Sequence, residues 1–183
     1  KGKSYFTKMQ DTCKRMQQLI NDLLAFSKVK EAEGKFQITD LKEMAEEVLK
    51  EQNETVGEGK AVMRTENLGE ANVIPFQFRQ LLHNLLGNAI KFSKPGEAPH
   101  IEIKSTTEIF EEGNRLQLIP GTKYVHITFS DSGIGFDAYH KERIFKVFQR
   151  LHNKDAYPGT GIGLAIVKKI IENHHGIITA ESK

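Results

Sequence analysis

With 183 residues, 38% of them hydrophobic and 27% charged, the chain has enough apolar material for one ordinary domain with a sizeable core plus an extra element, which excludes a disordered or fibrous polypeptide. A formal net charge of +2, without a basic stripe carrying interleaved aromatics, argues against a nucleic-acid partner. No apolar run approaches the roughly 20 residues needed to cross a bilayer, and the single cysteine, Cys13, fits a reducing cytoplasmic compartment, so neither a membrane contact nor an internal disulfide is expected.

The chain opens without Met and runs straight into a helical pattern, as a piece of a longer protein does; membrane anchoring of such a parent stays open. Phe6, Met9, Cys13, Met16, Ile20 and Leu23 recur at alternating steps of three and four, a heptad seam that predicts a helix in search of a partner. Leu19, Leu24 and Phe26 widen the stripe toward a four-helix arrangement, although one amphipathic helix packed on its own domain also satisfies the pattern. Gly34 ends this stretch after the charged run 28–33, dividing the chain into residues 1–33 and a second domain, 34–183. Residues 35–39 read as a strand, with Asp40 as N-cap of a helix over 41–52. Residues 61–65 and 72–74 read as short strands, and Pro75 suits the first turn of a helix running to about Phe92.

Alternating apolar and polar residues predict two longer strands, 100–109 and 123–130, paired as an antiparallel hairpin, with a turn at Glu111-Glu112-Gly113-Asn114 and an insertion that includes Pro120-Gly121. A short helix over 139–148, a polar stretch over 149–158, a helix over 161–174 and a last strand over 176–180 complete the pattern. The expected fold class is α+β, a two-layer sandwich with a mixed sheet and three main helices, preceded by the long amphipathic helix. Phe145 and Phe148, three apart, are expected to anchor the polar stretch in the core. His83 reads as structural, and His174 and His175 as a helix end closed by Gly176.

Chemistry concentrates in three places. Asp131-Ser132-Gly133-Ile134-Gly135 and Gly159-Thr160-Gly161-Ile162-Gly163-Leu164 are glycine-rich turns, the second feeding a helix whose open N–H groups and dipole suit a phosphate. Neither fits a P-loop or a dinucleotide fingerprint, so a third kind of nucleotide site is needed. On the 75–92 helix, Asn84, Asn88 and Lys91 fall at i, i+4 and i+7, offering two carboxamide oxygens for Mg²⁺ and a cation for phosphate on one face.

The run from Arg79 to Ser93, RQLLHNLLGNAIKFS, closely resembles the N box of sensor histidine kinases, relatives of gyrase B, Hsp90 and MutL. Asp131 to Phe136 looks like the G1 box, Ile144 to Phe148 like the F box and Gly159 to Leu164 like the G2 box, in the family's order. Gln149-Arg150-Leu151-His152 with Tyr157-Pro158-Gly159 is similar to the lid of kinases related to phytochromes. The resemblance implies the Bergerat ATP-binding fold, with ATP and Mg²⁺ as ligands. Asn88 would ligate Mg²⁺ with Asn84 assisting; Lys91 would contact phosphate and Phe92 lie against the nucleotide. Asp131 would accept from the adenine 6-amino group, with Gly133 and Gly135 admitting the base. Thr160, Gly161, Gly163 and Leu164 would bring the lid end and helix N-terminus to the phosphates, Arg150 steadying the γ-phosphate.

The family's phospho-accepting histidine lies on the first helix of a dimerising hairpin, whereas residues 6–26 resemble the second; all seven histidines fall at or after His83, none in an H-box context. The resemblance therefore implies the ATP-binding part of a histidine kinase, a homodimer through the N-terminal helix in the parent, and a response-regulator receiver domain as partner, but no autophosphorylation by this piece alone. The end at Lys183 falls where relatives continue into a further glycine-rich turn and strand. Two alternatives stand beside this reading. An ATP-driven clamp normally carries a glutamate base where this chain has Asn84, and a non-catalytic dimerising module would not need intact glycine clusters with Asp131.

Overall fold

A computed structural model describes residues 2–31, 34–55, 60–111, 118–151 and 159–182, the side chains of 2–8, 11, 14, 15, 28–31 and 55 excepted. The turn expected at 111–114 and most of the polar stretch 149–158 lie outside the described residues.

The heptad stretch forms one long helix, α1 (Gly2–Glu31). Its seam faces away from the rest of the chain: Met9, Met16, Ile20 and Leu23 are each more than half exposed, as is Leu24. Its other side packs on the core through Leu19, Ala25 and Phe26. One face of the helix thus packs on the domain and the other is exposed.

Strand β1 (Gln37–Asp40) runs into α2 (Leu41–Thr55), and Asp40 Oδ1 accepts from the N–H groups of Lys42 (2.9 Å) and Glu43 (3.0 Å), the N-cap expected of that residue. Along α2, Leu41, Met44, Ala45 and Val48 recur at helical spacing and are all buried. Strands β2 (Val62–Glu66) and β3 (Glu70–Val73) lead to α3 (Pro75–Lys91), which starts with proline where its missing N–H costs nothing and buries Phe78, Leu81, Leu82, Leu86 and Ala89. The hairpin β4 (His100–Ile109) and β5 (Lys123–Asp131) pairs from Ile101 opposite Asp131 to Ile109 opposite Lys123. Helix α4 (Gly163–Asn173) contributes Ala165, Ile166, Val167 and Ile170 to the core.

The strands form a mixed sheet in the order β2-β4-β5, β2 parallel and β5 antiparallel to β4, and a separate antiparallel pair β1-β3. Ile101 and Ile103 of β4, alternating inward, meet α2, α3 and α4 in one apolar cluster, which is the two-layer α+β sandwich expected. Burying side chains of this size stabilises the fold by roughly 1.5–3 kcal/mol each. A polar seam also joins α2 to α3: Arg79 Nη1 donates to Glu47 Oε2 (2.8 Å) and its Nη2 to Glu51, while His83 stands between Glu51 (3.1 Å) and Gln52 (3.1 Å). This is the structural role expected of His83.

Four local expectations are corrected. In place of a helix over 139–148 there are two 3₁₀ turns, Ala138–His140 and Arg143–Phe145, whose N–H groups bond three residues back rather than four, the first capped by Asp137. Phe148 is 61% exposed with φ 63°, so it anchors nothing; Val147 is the residue that packs on the core. Residues 176–182 join no strand ladder; the Ser182 hydroxyl oxygen instead accepts the Phe136 N–H (2.9 Å). At the end of α4 the left-handed residue is His175 (φ 57°), not Gly176. The N–H groups of His175 and Gly176 bond back to Glu172 and Ile171, a Schellman closure with glycine one place further on.

His174 is not the helix-end cation the sequence pattern suggests. Its Nε2 accepts the Ile74 N–H (2.9 Å), its Nδ1 donates to the Ile170 carbonyl (2.7 Å), and its ring meets Phe36 and Phe78 edge-on. Burial holds its pKa below the ordinary 6.5, the Ile170 carbonyl opposing this and His175 adding to it. A lowered folded-state pKa means the unfolded chain binds the extra proton, so this contribution to stability is complete above about pH 6.5 and is lost as pH falls through the lowered value. Urea denaturation at pH 7.5 and 5.5 should show wild type losing stability over that interval. His174→Gln, which keeps an acceptor for Ile74, should lose less; an equal loss in both would remove His174 as the cause.

Candidate functional site

Asn84, Asn88 and Lys91 lie half-buried along one edge of α3, beside its buried apolar stripe. Asn84 Nδ2 donates to the Gln80 carbonyl one turn back (2.9 Å), and its Oδ1 faces Gly163. Asn88 makes no side-chain hydrogen bond among the described residues. Lys91 Nζ stands 4.4 Å from the Phe92 ring centroid, a cation over an aromatic face.

The second glycine cluster presses against this edge. A Cβ on Gly163, at the start of α4, would lie 2.9 Å from Asn84 Oδ1, and one on Gly159 would collide with Lys91 Nζ. Gly161 (φ 76°) backs onto the carbonyl of Gln149, where a Cβ would come within 2.7 Å, and onto Arg150 Cγ at 3.2 Å, so the two ends of the polar stretch meet here. Ile162 caps α4 without any side-chain bond and is fully buried, so the helix begins with its first N–H groups uncapped beside Asn84. The Leu164 side chain packs toward the core, leaving its backbone as the part available to a ligand.

The first cluster is held at the C-terminal end of α3. Asp131 ends β5, and its Oδ1 accepts the Gly133 N–H (2.8 Å). The Ile134 N–H donates to the Phe92 carbonyl (2.9 Å), and a Cβ on Gly133 would sit 2.8 Å from that same oxygen. Gly135 takes φ 66°, a turn conformation that glycine adopts at no steric cost. Asp131 itself is exposed, one carboxylate oxygen committed to the turn.

Electrostatically the Gly159 end is cationic. Burial lowers the Lys91 pKa below 10.5, the nearby Arg150 charge lowers it further, and Asp22 pulls the other way. Asp22 is the residue that sequence patterning did not single out: its Oδ2 accepts from Thr160 Oγ1 and its Oδ1 from Gln18 Nε2 (2.8 Å). The two partners Asp22 and Thr160 are 138 positions apart, and one acid on an amphipathic helix carries no signal of such a contact. Twelve residues were expected at the site. Asn84, Lys91, Phe92, Asp131, Gly133, Arg150, Gly161 and Gly163 stand in direct contact with another of them; Asn88 shares the α3 edge, Gly135 shapes the turn, Thr160 bonds to Asp22, and Leu164 opens α4. A separate open cleft between α2 and β2, lined by Glu46, Lys50, Asn53 and Lys60, holds none of them.

The model of the family described as histidine kinase-, DNA gyrase B- and HSP90-like ATPases matches residues 74–183, from the start of α3 through both glycine clusters. The chain belongs to this family. Within that ATPase family it is 39% identical over 168 residues to cyanobacterial phytochrome A of Nostoc sp. strain PCC 7120, a match covering 92% of this chain and 20% of that protein. It therefore spans about a fifth of that relative's length. Among solved structures, the catalytic domain of histidine kinase ThkA superposes with a TM-score of 0.55 at 26% identity, covering 76% of this chain and 83% of that one. ThkA in complex with response regulator protein TrrA gives 0.61 at 24%, over 95% and 45% of the two chains. Full-length ShkA in complex with AMPPNP gives 0.68 at 24%, over 98% of this chain and 36% of that one.

Proposed function

We propose that this chain is the ATP-binding catalytic part of a sensor histidine kinase, which transfers the γ-phosphoryl group of ATP to a histidine and thence to an aspartate of a response regulator. The observation that carries the reading is the convergence on α3 and its C-terminal cap: Gly163 beside Asn84 Oδ1, Gly159 beside Lys91 Nζ and Gly133 beside the Phe92 carbonyl, the last an approach to backbone that a Cβ would crowd. Membership of the ATPase family and the likeness to ThkA support it.

In this reading Asp131 accepts from the adenine amino group with the oxygen not used by Gly133, and Phe92 lies against the base or sugar. Lys91, Arg150, the Thr160 to Gly163 backbone and the start of α4 neutralise and orient the phosphates. Among the described residues no cluster of three or more His, Cys, Asp or Glu suits a metal, so Mg²⁺ would be held by the carboxamides of Asn88 and Asn84 together with phosphate oxygens and water, a hard donor set that fits it. When bound, Mg²⁺ supplies charge neutralisation at the phosphates. A histidine imidazole nitrogen forms the N–P bond as the bond from phosphorus to the ADP oxygen breaks and the imidazole proton leaves. Helix α1 carries no histidine, so the acceptor comes from elsewhere in a parent dimer, for which the exposed Met9, Met16, Ile20 and Leu23 are the seam.

The test supplies an upstream helix bearing a histidine and follows label from γ-labelled ATP. Acid-labile label on that histidine, absent from its alanine variant, is expected. Release of free phosphate without labelled protein would support a clamp ATPase, and no nucleotide binding at all would support the dimerising module.

A further inference from the structure

The inward face of α1 reaches the nucleotide site. Leu19 and Phe26 pack on the core, and between them Asp22 turns its carboxylate to the Thr160 hydroxyl, in the middle of the second glycine cluster. Gln18 Nε2, one turn back, holds the other oxygen. Among the described residues, the other charged groups acting at this end are Lys91 and Arg150, both cations. One carboxylate therefore stands among two cations and a hydroxyl donor, the partners that a polyphosphate seeks in the same half-buried place. Two anions there repel, so phosphates and Asp22 cannot both hold these partners at full strength.

We propose that Asp22 is an intramolecular competitor of the nucleotide's phosphates, its carboxylate holding Thr160 and facing Lys91 until the nucleotide takes them over. This rests on the ATP reading above and adds a coupling to it. Asp22 is two residues from Ile20 and one from Leu23, both on the open seam, so whatever seats on that seam and turns α1 moves the competitor. By reciprocity, a setting of α1 that withdraws Asp22 raises nucleotide affinity by the factor with which nucleotide loosens α1.

Calorimetry of wild type, Asp22→Asn and Asp22→Ala with magnesium-AMPPNP, and with adenosine as a probe without phosphates, separates the possibilities. Both variants should bind AMPPNP more tightly, by about tenfold, within the usual range of such couplings, and adenosine as wild type does. Two variants guard against one misfolding. Unchanged or weaker AMPPNP binding would overturn the proposal, as would equal tightening for adenosine, which would mean a generally looser lid. Binding by the variants where wild type shows none would support it most directly. If neither wild type nor variants bind nucleotide, the ATP reading itself fails and the competitor with it; if wild type binds and the variants bind no better, only the competitor fails.

Discussion

Asp131→Asn is expected to lower affinity for magnesium-AMPPNP by about a hundredfold while leaving the fold intact. The asparagine oxygen still accepts the Gly133 N–H that Asp131 Oδ1 accepts at 2.8 Å, so the turn survives and melting should shift by no more than about 0.5 kcal/mol. The other end of the side chain changes from an acceptor to an NH₂ donor, which then faces the adenine amino group donor to donor. The lost charge-assisted bond and the mispaired donor together cost roughly 3 kcal/mol, or a hundredfold. Calorimetry against both proteins, with circular dichroism as the control for folding, measures it. Undiminished binding by the variant would remove Asp131 from the base site, and discrimination between adenine and guanine nucleotides should narrow with it.

Gly161→Ala should be the most damaging single methyl in the lid region, and the chain provides its own control. Gly161 and Gly96 both have positive φ, 76° and 81°, so alanine at either carries a backbone cost of about 1 kcal/mol. At Gly96 nothing lies within 4 Å of the new Cβ, whereas at Gly161 it would meet the Gln149 carbonyl at 2.7 Å and the Phe148 carbonyl carbon at 3.0 Å. Those are backbone atoms that cannot rotate aside, so Gly161 and residues 148–150 are forced apart. Gly96→Ala is expected to lose about 1 kcal/mol of stability and no nucleotide affinity. Gly161→Ala should lose more stability and at least about tenfold in AMPPNP binding, since small displacements of positioning groups are costly. Equal behaviour of the two variants in calorimetry and urea denaturation would show that the contact at Gly161 carries no weight.

Most of the scaffold was legible because its local signals agreed with its tertiary use. Asp40 caps α2, Pro75 opens α3, and the apolar stripe of α3 is buried apart from the half-buried Leu85. The glycine clusters were legible for a related reason: glycine recurs where a neighbouring atom occupies the Cβ position, and at Gly133, Gly159 and Gly163 that neighbour is α3 or the side chains it carries. Legibility ended where a pattern could be met in two ways. Phe145, Val147 and Phe148 imitate a helical face, but the chain there makes two 3₁₀ turns and leaves Phe148 outside. Residues 176–180 alternate like a strand, yet a strand exists only with a ladder partner, and none is present among the described residues. His175 took the left-handed position that Gly176 was expected to fill, because the helix ends one residue earlier than its apolar pattern suggests. The Asp22 to Thr160 bond was invisible for want of any local correlate across so long a separation.

The bond from the Ile74 N–H to His174 Nε2 has a mechanical meaning. It joins the first turn of α3 to the last turn of α4, and Asn173 Nδ2 donating to Gln77 Oε1 (3.2 Å) doubles the join. At the start of α4 the bare backbone of Gly163 faces Asn84, in the middle of α3. The α3–α4 pair is thus pinned by hydrogen bonds at the end remote from the second glycine cluster and by apolar packing along its length, so a substitution at His174 or Gln77 changes how the two helices are set against each other.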